Sequence, residues 1–166
     1  MAEARGRTRL EQFRIANEAR LVRWHEEAEL SRSAFNKIRR SGEMNVDTLA
    51  RLVRAATRLL GRQVAASEVA DVGEDEPVTG AAAPRVRRHR KRKTYDTPAD
   101  RVLCRLGVMP TELAAAARVT RPTIHKLRRG KGTLRVSNLA SIVRALRQLS
   151  HVAVRAADLC DVGEPI

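Results

Sequence analysis

The sequence predicts an all-α protein made of two tandem units of five short helices, joined by a basic linker. Three observations support this prediction. Aromatic residues make up only 2% of the 166 residues and apolar residues 43%, so Ala, Leu, Val and Ile must build the core, which suits short helices more than sheets. The second half of the chain repeats the first, and a dense run of Lys and Arg separates the two halves.

The two copies align over two stretches, whose offsets differ by one residue. Residues 46–74 align with residues 136–164 at an offset of 90, with 13 of 29 positions identical, and both stretches close on Asp-Val-Gly-Glu. Upstream the offset is 89, where SRSAFNKIRR (31–40) aligns with TRPTIHKLRR (120–129). Self-similarity of this kind indicates a duplicated structural unit, here of roughly seventy residues.

Charge is distributed unevenly along the chain. The expected first domain, 1–77, holds 14 basic and 13 acidic residues, the expected linker, 78–97, has a net charge of +6, and the expected second domain, 98–166, has a net charge of +7. Like charges at the density of the linker repel and hold a segment open. The basic residues of the linker are Arg85, Arg87, Arg88, Arg90, Lys91, Arg92 and Lys93.

Helix signals follow one another in the second copy. Thr97 is a candidate N-cap followed by proline, and Gly107 ends the first helix. The second helix is predicted over 109–118 and the third over 120–129, capped by Thr120, and a last short helix over 154–160. The fourth helix has apolar residues at the spacing of one helical face, namely Val136, Leu139, Ile142, Val143, Leu146 and Leu149.

The first copy shows the same signals with one difference. Thr8 and Glu11 form a capping-box pattern, and a last short helix is predicted over 65–70. Residues 17–20 contain no clear break, so the first two helices are expected to run together or bend without a loop. The fourth-helix stripe is Leu49, Leu52, Val53, Ala56, Leu59 and Leu60.

The stretch 110–146 resembles the Cro/cI-like, Xre-type helix-turn-helix family. The residues that carry the resemblance are Leu113-Ala114, Val119-Thr120, Ile124, Leu127, Gly130, Leu139 and Ile142, matched in the first copy by Trp24-His25, Leu30-Ser31, Phe35, Ile38, Leu49 and Leu52. The resemblance implies two lambda-repressor-like five-helix domains, each with a third helix that enters the DNA major groove.

Two departures from the family pattern affect what we expect. Glu29 and Arg118 stand where the family often has a turn glycine, at a cost of about 1 kcal/mol for a left-handed residue. Arg39 and Arg128 stand where the family usually has a Glu that pairs with an Arg of the first helix. We therefore expect that ion pair to be absent and both arginines to suit phosphate.

The resemblance also implies the contacts with double-stranded DNA. Expected base contacts are Arg32, Ser33, Asn36 and Lys37 in the first copy and Arg121, Pro122, His125 and Lys126 in the second. Arg and Lys favour the O6 and N7 of guanine, which predicts G-containing half-sites. Expected backbone phosphate contacts, which fix register, are Ser31, Arg40, Thr120, Thr123, Arg129, Lys131, Thr133 and Arg135. The basic run at 85–93 either adds phosphate or minor-groove contacts or serves as a solubilising tether.

Other features have structural interpretations. Trp24 and Phe35 fall on inward positions and are expected in the core, and Cys104 and Cys160 are expected to be buried thiols. No nucleophile, carboxylate pair or phosphate loop stands out, so we expect no enzyme activity, no cofactor and no metal site. No membrane span, signal peptide or disulfide framework is evident, which favours the cytoplasm. The expected binding to DNA adds association with the nucleoid.

The net charge of +14 favours a polyanionic partner, and nucleic acid is the commonest one. We expect a bacterial or phage DNA-binding transcriptional regulator, a repressor acting by occupancy, that binds two unlike half-sites as one chain or as a homodimer. No small-molecule effector domain remains after the two units are counted. The alternatives are an architectural protein with little sequence preference and an adaptor whose first domain binds a protein.

Overall fold

The computed structural model describes residues 8–18, 20–75 and 95–164. Throughout these ranges the chain is all-α, with nine α-helices, one short 3₁₀ turn and no β-strand. The chain divides into two compact units. Described residues up to Asp71 together with 161–164 form unit 1, and described residues from Val72 to Cys160 form unit 2.

Unit 1 contains five helices that surround an aromatic centre. The longest one, α4, has its apolar side chains on the inward face, including Leu49, Leu52 and Val53, all completely buried. The glycines Gly42 and Gly61 end α3 and α4 in the left-handed conformation, where glycine avoids the Cβ penalty. The helices are α1 Arg9–Ala16, α2 Trp24–Glu27, α3 Arg32–Ser41, α4 Val46–Leu60 and α5 Ala66–Val69.

Unit 2 repeats this order with an aliphatic centre. Prolines begin α6 and α7 at the first helical position, where the missing N–H costs nothing. Gly107 ends α6 and Gly130 ends α8, both left-handed, as the sequence predicts for Gly107. The elements are α6 Pro98–Leu106, α7 Pro110–Ala116, α8 Arg121–Arg129, α9 Val136–Ser150 and the 3₁₀ turn Ala156–Asp158.

One threonine caps the first helix of each unit, as predicted. The hydroxyl oxygens of Thr8 and Thr97 accept the backbone N–H three residues on, at 3.3 and 3.2 Å. Each hydroxyl also donates to a carbonyl oxygen of the third helix, that of Arg39 in unit 1 and Arg128 in unit 2, at 2.7 Å in both. A single hydroxyl thus ties the start of the first helix to the end of the third.

The expectation that the first two helices of copy one run together or bend without a loop is wrong. α1 ends at Ala16, and the Asn17 side-chain amide donates to the Phe13 carbonyl oxygen at 2.9 Å. This bond satisfies one of the carbonyls left unpaired at a helix end. α2 begins only at Trp24 and has four residues, against seven in α7, which starts earlier because a proline occupies its first position.

The observed units differ from the expected domain bounds at their ends. The closing residues 161–164 belong to unit 1, although they follow the second copy in sequence, and 72–75 belong to unit 2. Residues 95–97 of the expected linker also belong to unit 2. The basic run from Arg85 to Lys93 lies outside the described residues.

Candidate nucleic-acid interface

The third helix of each unit has one apolar face and one polar face. In α8, Ile124 and Leu127 point into the core, and in α3, Phe35 and Ile38 do the same. Because these positions are three apart, the side chains between them and before them face solvent. The predicted contact residues occupy that solvent-facing side.

Every predicted base-contact side chain is accessible. Asn36 is half-buried, and the others are exposed, namely Arg32, Ser33, Lys37, Arg121, Pro122, His125 and Lys126. Among the predicted phosphate contacts, Thr123 is half-buried, and the others are exposed, namely Ser31, Arg40, Thr120, Arg129, Lys131, Thr133 and Arg135. Within each unit, the predicted contact residues lie on the third helix and in the loops on either side of it.

The amino ends of α3 and α8 are suited to an anion. Neither helix has an acidic residue in its first turn, so the partial positive charge of the helix N-terminus is not neutralised there. Ser31 caps α3 by accepting the Ala34 N–H at 3.2 Å. Thr120, also predicted as a cap, makes no capping bond, since its hydroxyl lies 2.9 Å from that of Thr123.

The turn before the third helix has the same geometry in both units. Glu29 has a φ of 55° and Arg118 a φ of 52°, so the left-handed turn expected at these two positions is confirmed. The next N–H, of Leu30 or Val119, donates to a carbonyl oxygen five residues back, at 2.8 and 3.0 Å. Bonds of this type close the end of the second helix and fix where the third begins.

The expectation that Arg39 and Arg128 lack an ion pair is wrong. The Arg128 Nε lies 2.6 Å from a carboxylate oxygen of Asp100, with both side chains almost fully buried at 4% and 2% exposed. In unit 1, Arg39 lies 3.3 Å from Glu11. The pair is present with its charges reversed, the acid on the first helix and the base on the third. Arg128 is therefore committed to Asp100 instead of phosphate.

Tyr95, which sequence reasoning placed in the linker, contacts the end of α8. Its ring lies under the guanidinium groups of Arg128 and Arg129, at 5.1 and 5.6 Å from the ring centroid. Its hydroxyl oxygen accepts the Arg129 Nε–H at 3.2 Å, and its backbone N–H donates to Asp100 at 2.6 Å. Tyr95 thus orients Arg129, a predicted phosphate contact. The sequence signal for this contact was the position of Tyr95, two residues before the helix cap Thr97.

Beside α3 the first unit has a cleft of about 450 Å³. Its apolar wall includes Leu21, Val22 and Phe35, and its rim includes Arg23 and Arg32. Val22, on the same wall, is 74% exposed. One edge of the predicted DNA-contact surface of α3 is therefore shared with a partly apolar cleft.

Side chains with structural interpretations are placed as follows. Trp24 is fully buried and donates its indole N–H to the Leu52 carbonyl oxygen at 2.8 Å, and Phe35 is 7% exposed, so both are confirmed as core. The expected burial of the thiols is wrong, because Cys104 is exposed and Cys160 half-buried. Leu103 lies on the buried face of α6, whereas the next residue, Cys104, lies outside that face.

No protein-family model, curated protein or solved structure matches the chain. In the parts of the chain described, no helix has the length and apolarity needed to cross a membrane. Across the same ranges, no three metal-binding side chains lie together.

Proposed function

We propose that the chain is a sequence-specific double-stranded DNA-binding transcriptional regulator, built as two tandem Xre-type helix-turn-helix domains. One observation carries the proposal. In both units the third helix buries its apolar residues and exposes an arginine at its first position and a lysine five residues on, Arg32 with Lys37 and Arg121 with Lys126.

The dimensions of a helix suit this role. An α-helix with its side chains is about 10–12 Å across and fits the major groove of B-DNA. Side chains of its first turns then reach base edges, where Arg and Lys each favour guanine. Arg121 and Lys126, with Arg32 and Lys37, are proposed to contact guanine O6 and N7.

Residues around each third helix are proposed to hold the DNA backbone. Arg129, Lys131 and Arg135 follow one another at and beyond the end of α8, all exposed. Each phosphate that a cation neutralises adds about one unit to the salt dependence of binding. Arg129 is pre-oriented by Tyr95, so part of the entropy cost of ordering its side chain is met before binding.

The two third helices differ at the positions between their shared cations. Where α3 has Ser33 and Asn36, α8 has Pro122 and His125. Unlike side chains at base-contacting positions favour unlike half-sites. Two units on one chain make the second docking step intramolecular, with an effective concentration in the millimolar range. A repressor that blocks polymerase by occupancy needs no further domain.

A second candidate function is favoured by the cleft beside α3. Unit 1 offers a partly apolar cleft with the exposed Val22 at its edge, and the sequence before residue 78 is almost neutral in charge. In this alternative, unit 2 binds DNA and unit 1 binds a protein. Arg32→Ala combined with Lys37→Ala separates the two, because unchanged affinity and an unchanged DNA footprint would favour the adaptor.

Selection of bound duplexes from a random pool tests the proposal. At about 150 mM salt, a sequence-specific regulator binds its selected site about 10³-fold or more tightly than random DNA. Arg121→Ala with Lys126→Ala should abolish enrichment of one half-site. The control is Arg105→Ala, an exposed cation on α6. Enrichment of no sequence, with tight binding to every duplex, would favour an architectural protein instead.

A further inference from the structure

The closing Asp-Val-Gly-Glu segments occupy unexpected places. The segment after the first copy, from Val72 onward, packs in unit 2, and the segment after the second copy, 161–164, packs in unit 1. Each unit is therefore completed by a segment that follows the other copy in sequence. This exchange is a feature beyond DNA binding and does not depend on it.

In unit 1 the segment is held by both of its acids and by its valine. The Ala66 N–H donates to the Glu164 carboxylate at 2.7 Å, and the Arg54 guanidinium pairs with Asp161. Val162 is 1% exposed and forms part of the core. The carboxylate of Glu164 thus satisfies an otherwise unpaired donor at the start of the short helix α5.

In unit 2 the equivalent segment makes the same bond through its glutamate. The Ala156 N–H donates to the Glu74 carboxylate at 2.7 Å, and Val72 is completely buried. The Arg147 guanidinium also donates to the Glu74 carbonyl oxygen at 2.7 Å. The two grooves therefore select the same features, namely a buried Val and a Glu that accepts a backbone N–H.

The glycine of each segment shows how closely it fits its groove. Gly73 and Gly163 have φ values of +82° and +87°, which L side chains rarely adopt. A Cβ added to Gly73 would lie 2.3 Å from the Ala140 carbonyl oxygen, and one added to Gly163 would lie 2.3 Å from that of Ala50. Both grooves therefore require glycine for steric and conformational reasons.

We propose that each unit contains a binding groove for the Val-Gly-Glu part of this segment, and that the two grooves are filled reciprocally within one chain. In unit 1 the groove lies along α4 and α5, and in unit 2 it lies along α9 and the 3₁₀ turn. Neither copy completes its own core, so the folding of each unit depends on residues supplied after the other copy.

Amide hydrogen exchange on the full-length chain tests the proposal with a matched pair of variants. Gly163→Val is expected to speed exchange at Ala66 and its neighbours in unit 1, and Gly73→Val at Ala156 and its neighbours in unit 2. Each substitution should speed exchange at least tenfold, because it displaces the glutamate that follows the glycine and so removes a charge-assisted hydrogen bond. The proposal is overturned if each variant loosens the unit encoded by its own copy.

A second pair of variants, with milder substitutions, keeps the test decisive if the glycine variants do not fold. Glu164→Ala and Glu74→Ala each remove one carboxylate acceptor and leave the backbone conformation of the segment unchanged. Exchange should rise about tenfold at the Ala66 N–H in the first and at the Ala156 N–H in the second. The crossed pattern should persist on dilution at the mass of one chain, 18.5 kDa. Protection that falls with dilution would overturn reciprocal filling within one chain.

Discussion

The two units build the same arrangement of helices around different cores. At matching positions unit 1 has Phe13, Trp24 and Phe35 and unit 2 has Val102, Leu113 and Ile124, all buried. The aromatic rings of unit 1 lie 5.5 and 5.6 Å apart in tilted and edge-on arrangements. Cores tolerate such exchanges when volume is redistributed. The presentation of the third helix therefore does not require one particular core.

The tie between first and third helix also differs in depth. The Asp100–Arg128 pair is almost fully buried, whereas the side chains of Glu11 and Arg39 are 19% and 32% exposed. A fully buried pair is costly to break, and a partly exposed one contributes less. Unit 2 therefore has the more rigid link behind its third helix.

The largest effect is expected from truncating the aromatic centre of unit 1. Trp24→Ala should lower the free energy of unfolding of that unit by about 4 kcal/mol, because it leaves a large cavity and removes a buried hydrogen bond. The matched change Leu113→Ala should cost unit 2 about 3 kcal/mol. Urea unfolding followed by circular dichroism, with hydrogen exchange to assign the unit, measures both. A loss below 1 kcal/mol for Trp24→Ala would contradict the structure.

Next in size is the loss of the buried carboxylate. Asp100→Asn leaves the Arg128 guanidinium buried without a countercharge and should destabilise unit 2 by about 3 kcal/mol. Glu11→Gln, in the partly exposed pair of unit 1, should cost less than about 1 kcal/mol. Thermal unfolding compares the two. Adding Arg128→Met to Asp100→Asn should recover most of the loss, and equal losses for the two single variants would show that depth of burial does not matter here.

DNA affinity should change less and only at specific positions. Arg121→Ala is expected to weaken binding to the selected site by about 1–3 kcal/mol, since it removes a bidentate base contact. Arg32→Ala should act similarly on the other half-site if both units bind DNA. Fluorescence anisotropy with Arg105→Ala as the charge-matched control measures these effects. A loss equal to the control would place Arg121 outside the base-contacting surface.

The smallest effect is on acid stability. The Arg62 hydrogen bond lowers the pKa of Glu68 below its ordinary value of 4.5. Glu68 therefore stabilises unit 1 above that pH, and this contribution is lost as the pH falls through the lower pKa of the folded chain. The matching position in unit 2 has Val152 in place of the arginine. Arg62→Ala should raise the pKa of Glu68, which carboxyl NMR titration measures, and an unchanged value would contradict the pairing.

Much of the fold could be predicted from local signals. Thr8 and Thr97 cap predicted helices, and Gly107 ends α6. The exposed positions of α3 and α8 follow from 3.6-residue periodicity. The reversed ion pair was also visible, because Glu11 and Asp100 align at the same offset as Arg39 and Arg128. It was missed because the family pattern puts the base on the first helix.

The exchanged segments could not be predicted in this way. Both copies end in Asp-Val-Gly-Glu, and both grooves have alanine at the positions of Ala50 and Ala140. Identical segments fit identical grooves equally well, so periodicity and composition cannot show which segment fills which groove. The contact of Tyr95 with Arg129 was missed for a related reason, because the basic composition around Tyr95 favoured a linker.

Protection of guanine N7 from methylation reports whether α3 and α8 enter the major groove. The full-length chain bound to its selected site should protect guanines in two separate half-sites, and Arg121→Ala should lose protection in one half while Arg32→Ala loses it in the other. Protection that is absent, or that falls equally in both halves with either variant, would contradict insertion of α3 and α8 into the major groove.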